Sequence, residues 1–346
     1  MNQSDAQFMA KAIELSRLGF PAPNPRVGAV VVSNGETVGR GYHHAIGMQH
    51  GEAAAIEEAG DRSQGADLYV TLEPCNHHGR TPPCTDAILA AGIRRVVFAN
   101  RDPNPGASGG AERLREAGVI VESGVLAEEA REVNRIFEGS WRLGRPYVVA
   151  KAAITLDGFL ADIDGESKWI TAEVARRRGH ELRAELGCVL IGAETALRDR
   201  PSLSAHEVEG RVQLRVVLDP RRRLPDDLGL FITDDILTLR VVGDNAQPPD
   251  TQVTESDGVL DLRQVLAAIA ARGMIGVLVE GGGRTIGEFF KQGLVDEIEL
   301  HVAPKALGGG TNWLQAPRAL SEAWQFEDVA IQPLGDGFRI NAKVKR

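Results

Sequence analysis

The sequence predicts a two-domain α/β protein, and three observations carry that prediction. Strand-like runs alternate with helix-like segments through both halves, the rhythm of layered α/β folds. A break at Gly144-Arg145-Pro146 interrupts it. The chain has 346 residues, room for about two domains at roughly 150 residues each. The expected division is 1–145 and 146–346.

In the first half, Ser4 to Gln7 fits a capping box, and Phe8, Ala12, Leu15 and Leu18 follow at helical spacing, with Gly19 as the stop. Residues 27–32 form a buried-strand pattern, and Asn34-Gly35 reads as a hairpin turn into a second strand at 37–41. Helices are expected at 51–59, 86–91 and 111–117, with strands at 68–72, 95–99 and 119–122. Residues 126–143 carry one longer helical pattern. After the break, strands are expected at 147–154, 188–191, 215–218, 237–242, 277–279 and 297–302, and helices at 172–186, 262–271 and 285–292. The polar, proline-bearing stretch 247–257 reads as a surface loop.

Composition narrows the function classes. Asp and Glu number 48 against 39 Lys and Arg, a net charge of −9, which argues against a protein that grips nucleic-acid phosphates. No apolar run approaches the ~18 residues of a membrane span, and residues 1–19 read as an acid-bearing amphipathic helix, not a secretory signal. The three cysteines, Cys75, Cys84 and Cys188, are too few for a disulfide framework. They point to a reduced, cytoplasmic protein.

Two of those cysteines fall in a pattern with His50-Gly51-Glu52. One imidazole and two thiolates are the three protein ligands of a catalytic zinc site that keeps its fourth position open for water. Glu52, two residues from the histidine at a helix start, is placed to shuttle protons between that water, the ring and a departing amine. H-x-E followed by P-C and a further cysteine is the signature of zinc deaminases of nucleobases. Here eight residues separate the cysteines where two are usual. The alternatives are a structural zinc with His77 or His78 as fourth ligand, or inert buried thiols. Cys188 begins an apolar strand and reads as a core residue.

In the second half no G-x-G-x-x-G occurs. Instead Val277-Leu278-Val279-Glu280 runs into Gly281-Gly282-Gly283 ahead of a helix. That arrangement is either an anion cradle of backbone amides or a tight turn needing positive φ.

The run T-L-E-P-C-N-H-H-G-R-T-P-P-C, residues 71–84, resembles the bifunctional deaminase–reductase family of riboflavin biosynthesis. So do P-N-P-R-V-G-A-V at 23–30, G-Y-H-H at 41–44, R-D-P-N-P at 101–105, K-A-A-I-T-L-D-G at 151–158, G-E-S-K-W-I-T at 165–171 and L-V-D-E at 294–297. The resemblance spans nearly the whole chain. It implies a cytidine-deaminase-like three-layer α/β/α domain followed by a dihydrofolate-reductase-like α/β domain. It also implies two reactions: zinc-dependent removal of the 2-amino group of a diamino-phosphoribosylaminopyrimidinone, then NADPH-dependent reduction of the ribosyl chain. The implied zinc ligands are His50, Cys75 and Cys84, with Glu52 catalytic. Asn24, His43, His77 and Arg80 are implied as deaminase substrate contacts, although Asn24 equally fits a turn and the insertion residues an exposed loop. Lys151, Ser167, Arg183, Leu203, His206 and Glu280 are implied at the reductase substrate. Ala153, Trp169, Thr195 and Asp199 are implied at the cofactor, with Gly282, Gly283, Arg284, Thr285, Ile286, Gly287 and Glu288 at its phosphates.

Three departures stand out. Asp199 to His206 reads D-R-P-S-L-S-A-H where the family often has D-D-P-x-L-[TN]-x-R. Arg200 thus replaces an acid, and His206 replaces an arginine expected on the substrate phosphate; a histidine lacks that bidentate fork. Pro220 stands where a serine helps hold the cofactor. The expectation is a working reductase that binds phosphate differently. The competing readings are a decayed reductase domain or a deaminase of a tRNA base, the latter opposed by the acidic charge. The resemblance further implies a homo-oligomer acting on small molecules, with no nucleic-acid or membrane partner.

Overall fold

The computed structural model describes residues 3–79, 82–233, 235–244 and 250–346. The chain divides into two compact units, Met1–Gly144 and Arg145–Arg346.

The first unit runs α1 (Gln3–Ser16), β1 (Gly28–Ser33), β2 (Glu36–Tyr42), α2 (Gly51–Ala59), β3 (Asp67–Leu72), α3 (Cys84–Ala90), β4 (Arg95–Asn100), α4 (Gly110–Glu116), β5 (Ile120–Ser123), α5 (Ala127–Val133) and α6 (Arg135–Leu143). Its sheet has the order β2-β1-β3-β4-β5, antiparallel at β2-β1-β3 and parallel beyond. The hairpin turn is where the sequence places it: Asn34 and Gly35 both take positive φ, 51° and 81°, as a type I′ turn requires. On one face Met9, Ala12 and Ile13 of α1 pack on Val30, Val32, Tyr69 and Val97. Ala29 and Val31 point to the other face and are equally buried, so the sheet is covered on both sides. On that side α2 comes in close because β2 carries glycine: a Cβ on Gly39 would stand 2.1 Å from the Ala55 carbonyl oxygen, and one on Gly41 2.2 Å from that of Gly51.

Three local expectations change. The first helix begins at Gln3, so Ser4 lies inside it, and it ends at Ser16, leaving Leu18 exposed in the following turn. The pattern at 126–143 is two helices, not one. Buried Asn134 breaks it at φ −102°, where its side-chain amide donates to the Arg26 carbonyl and accepts from the Arg26 N–H, both at 2.8 Å. A long-range bond to a loop backbone there outweighs continued helix. The third helix starts at Cys84, earlier than its periodicity suggests, which puts a thiol in its first turn.

The second unit runs β6 (Tyr147–Thr155), β7 (Phe159–Ala161), α7 (Glu173–Leu186), β8 (Cys188–Gly192), α8 (Ala193–Asp199), β9 (Leu214–Leu218), α9 (Gly229–Ile232), β10 (Leu237–Gly243), β11 (Thr251–Val253), β12 (Glu255–Ser256), β13 (Val259–Leu260), α10 (Leu262–Ala270), β14 (Gly276–Glu280), α11 (Gly283–Lys291), β15 (Glu297–Ala303), β16 (Thr311–Asn312), β17 (Phe326–Leu334) and β18 (Gly337–Val344). Nine strands form one sheet, β11-β10-β9-β8-β14-β6-β15-β18-β17, parallel except for the β15-β18-β17 edge. Val148, Ala150, Ala152 and Ile154 of β6 pack with α10 and α11 on one face; Val149 and Ile191, of opposite parity, are buried on the other. Parallel sheets are covered on both faces in this way.

Within the expected loop at 247–257, residues 247–249 lie outside those described. Residues 251–253 form an edge strand on β10, anchored by buried Val253. The β17–β18 hairpin has no counterpart in the sequence reading, because β17 is exposed along nearly its whole length and shows no alternation. Among the described residues, no helix is long and apolar enough to cross a membrane.

Candidate active sites

In the first unit the pattern residues converge. His50 caps the start of α2 with extended backbone. Cys75 follows β3, and Cys84 opens α3. His50 Nδ1 lies 3.2 Å from Cys84 Sγ and 3.5 Å from Cys75 Sγ, and all three donor atoms lie within 4.8 Å of one another. Tetrahedral zinc with nitrogen at about 2.0 Å and sulfur at about 2.3 Å separates its ligands by roughly 3.5 Å, so donor set and spacing both fit zinc. A hydrogen bond from Cys84 and the neighbouring His50 hold the Cys75 thiol far below its usual range against the opposing effect of burial, while Cys84 is driven up. One of the two sulfurs is thus primed as thiolate before any cation arrives.

Glu52 is buried beside this cluster, and its Oε2 has no hydrogen-bond partner among the described residues. Burial, then the negative charge on Cys75, push it up to about 7, the range of an efficient general acid–base. His43, also buried, packs its ring 4.9 Å from that of His50. Burial and His50 hold it down to about 4, so it is neutral near pH 7. A cavity of ≈ 290 Å³ opens over His50, lined by Asn24, Ile46, Gly47, Met48, His77 and Gly79.

The residues around the cysteines are tied down by groups the sequence reading quoted without a role. Glu73 Oε1 accepts the backbone N–H groups of Gly109 and Ala111, each at 3.1 Å. Asn76 Oδ1 accepts from Thr85 Oγ1 and Arg113 Nη1 at 3.1 and 2.9 Å. These bonds brace both ends of the insertion.

In the second unit, parallel pairing of β14 with β6 sets Glu280 opposite Lys151. Lys151 Nζ donates to Glu280 Oε1 at 3.1 Å, and Arg183 Nε of α7 donates to Oε2 at 2.7 Å. Burial alone would raise the Glu280 pKa, but the two cations overcome it and hold the carboxyl well below its usual range. Arg183 also donates to the Ser204 carbonyl at 3.0 Å, which ties the loop after α8 to the same cluster. That loop includes Leu203, buried with φ 53°, an uncommon conformation for a bulky residue.

The glycine-rich turn resolves one open alternative. None of Gly281, Gly282 and Gly283 takes positive φ. Glycine is needed instead for close approach: a Cβ on Gly283 would stand 2.0 Å from the Asn312 carbonyl oxygen, and one on Gly287 2.6 Å from that of Gln315. The space at Gly282, which caps α11, is open. The turn lies at the carboxyl end of β14, where parallel sheets bind ligands.

Comparison with known proteins finds a family for each unit. Residues 2–100 match the cytidine and deoxycytidylate deaminase zinc-binding region, and residues 146–340 match the RibD C-terminal domain. The riboflavin biosynthesis protein RibD of Aquifex aeolicus is 40% identical over 97% of each chain. That of Escherichia coli is 38% identical over 96% of this chain and 97% of its own. The chain belongs to the RibD family. Among solved structures, RibD of Acinetobacter baumannii superposes with a TM-score of 0.88 at 32% identity, and a Thermotoga maritima deaminase/reductase with 0.85 at 36%, each over 99% of both chains. The RibD fold is thus the two-domain fold expected, a cytidine-deaminase-like domain followed by a reductase domain.

The remaining RibD-derived expectations are placed as follows. Asn24 and His77 line the cavity over His50; Arg80 lies outside the described residues. Lys151, Arg183 and Glu280 meet directly, and Ala153 shares a face of β6 with Lys151. Thr195 and Asp199 lie on α8. Trp169 is exposed under the Arg176 guanidinium, its carbonyl bonded by Lys305, and Ser167 is half-buried nearby in sequence. On α11, Ile286 points into the core, Glu288 pairs with Lys291, and Arg284 and Thr285 lie in the first turn. Pro220 accepts from the Gly243 N–H through its carbonyl. The sequence reading missed Ile46 and Met48, exposed apolar residues beside the cavity, and Glu73, whose only signal was its place in the T-L-E-P-C run.

Proposed function

We propose that the chain performs two consecutive steps of riboflavin biosynthesis. The first is hydrolytic deamination of 2,5-diamino-6-(5-phosphoribosylamino)pyrimidin-4(3H)-one. The second is reduction of the resulting 5-amino-6-(5-phosphoribosylamino)uracil to its ribitylamino product. The observation that carries the first step is the buried Oε2 of Glu52, without a hydrogen-bond partner among the described residues, beside the His50–Cys75–Cys84 cluster, whose His50 lines a cavity.

Zinc held by those three residues supplies Lewis acidity to the attacking water. Glu52 Oε2 relays the two protons of that water, one to the ring nitrogen and one to the amine, which leaves as ammonia. Neutral His43 and the Asn24 side of the cavity orient the pyrimidine. Glu73 and Asn76 hold the cysteine segment in position while the proton moves.

In the second domain NADPH supplies the hydride for ribose C1′. Lys151 and Arg183, fixed through Glu280, present positive charge to the phosphorylated sugar, and the open turn at Gly282 offers backbone amides to the cofactor phosphates. The reading includes a homo-oligomeric cytoplasmic enzyme of small-molecule substrates with no nucleic-acid or membrane partner; the net charge of −9 supports the absence of a nucleic-acid role.

Incubation with the diaminopyrimidine substrate, read by mass spectrometry, tests both halves. Exchange of one amine for oxygen without NADPH, then a gain of two hydrogens with it, is expected. An unchanged substrate in both arms overturns the reading.

A further inference from the structure

We infer that the reductase domain holds a second metal site, for a divalent first-row transition cation of the zinc class, built from His180, His206 and Glu207. It stands independently of the function proposed above.

The three side chains come from two elements, His180 from α7 and the other two from the loop after α8. Their ligand atoms lie within 4.8 Å of one another. His180 Nε2 is 3.6 Å and His206 Nε2 3.9 Å from Glu207 Oε1. Tetrahedral donors at about 2.0–2.1 Å from zinc stand roughly 3.3 Å apart, so small side-chain rotations complete the set. The two imidazole rings are edge to face at 4.4 Å.

The hydrogen bonds behind the rings decide the chemistry. His180 Nδ1 is 3.0 Å from the Ser204 carbonyl, which can only accept, so Nδ1 carries the proton. In the neutral ring, Nε2 then has a bare lone pair, and it faces a carboxylate oxygen. Two acceptors are turned toward each other. A bound cation relieves it without charging the ring. His206 Nδ1 is held in turn by Ser204 Oγ at 2.9 Å. One residue therefore orients both rings, the arrangement in which outer hydrogen bonds fix metal-binding histidines.

Two imidazoles and one carboxylate select zinc-class cations over magnesium or calcium, which prefer all-oxygen shells. Exposed His206 leaves room on the solvent side for a water ligand. Occupancy would cross-link the loop to α7, next to the Arg183–Glu280–Lys151 cluster.

The test is titration of the metal-stripped full chain with Co2+, followed by absorption and by metal content. The first-domain site carries thiolates and gives sulfur-to-cobalt charge-transfer absorption; the second gives only ligand-field bands. The wild type is expected to take two equivalents, only one bringing charge transfer. His206→Ala and Glu207→Ala, both at exposed positions, should lose the equivalent without charge transfer and keep the other. Ser204→Ala should weaken the second equivalent by about 10–100-fold. Excess Mg2+ should not compete. Saturation of the wild type with the thiolate equivalent alone, or retention of the second equivalent in His206→Ala, overturns the inference. Loss of charge transfer alone would count against the first-domain zinc site and leave this one standing.

Discussion

His50 Nδ1 lies 3.2 Å from the sulfur of Cys84, a residue 34 positions further along the chain. That approach joins the start of α2 to the start of α3, and Glu52 is buried against it.

Glu52→Gln keeps the shape and removes the proton acceptor. Deamination should fall by about 10²–10⁴-fold, the usual contribution of a general acid–base, while zinc content stays at the wild-type level. A variant that has lost its zinc, or that deaminates normally, would remove Glu52 from the proton path.

Gly51 opens α2 between His50 and Glu52. In this fold a Cβ there would meet the Val27 carbonyl oxygen at 2.8 Å. Gly51→Ala should therefore destabilise the deaminase domain by about 1–3 kcal/mol, as overpacking does. Urea unfolding of the full chain, followed by a probe placed in the deaminase domain, measures this; an unchanged transition there would mean that α2 shifts freely.

Glu280 neutralises two cations while only 17% of its side chain is exposed. Glu280→Gln should cost the reductase domain about 3–5 kcal/mol, because breaking a buried ion pair leaves charge uncompensated.

The same carboxyl gives a pH dependence. Its folded pKa lies below the ordinary 4.5, so the folded state binds fewer protons than the unfolded chain. Its stabilisation is present above about pH 4.5 and is lost as pH falls through that value toward the folded pKa. The pH profile of unfolding for wild type and Glu280→Gln should converge at low pH; parallel profiles would contradict the assignment.

Wild type should oxidise NADPH with the deaminated substrate although His206 replaces an arginine. Comparison with His206→Arg decides the matter: oxidation found only in the variant would identify a decayed reductase domain.

Much of this was legible in the sequence because its signals are local. Ligand types and spacing declare a zinc site within a few dozen residues, and Asn34-Gly35 declares its turn from backbone preference alone. Strand and helix periods report which faces are buried, so the alternation of elements and the family motifs were readable in order.

Other features depend on partners distant in sequence. Asn134 splits a continuous helical pattern because its amide finds Arg26, 108 residues away. Glycines 283 and 287 are required by the carbonyls of Asn312 and Gln315, not by φ. Lys151 and Glu280 meet through strand order, and His180 meets His206 and Glu207 because Ser204 draws their loop onto α7. The sequence by itself determined the chemistry of the ligands and the succession of elements. The tertiary structure decided which backbones come close and which buried charges pair, since those free energies exist only once the sheet order has brought distant groups together.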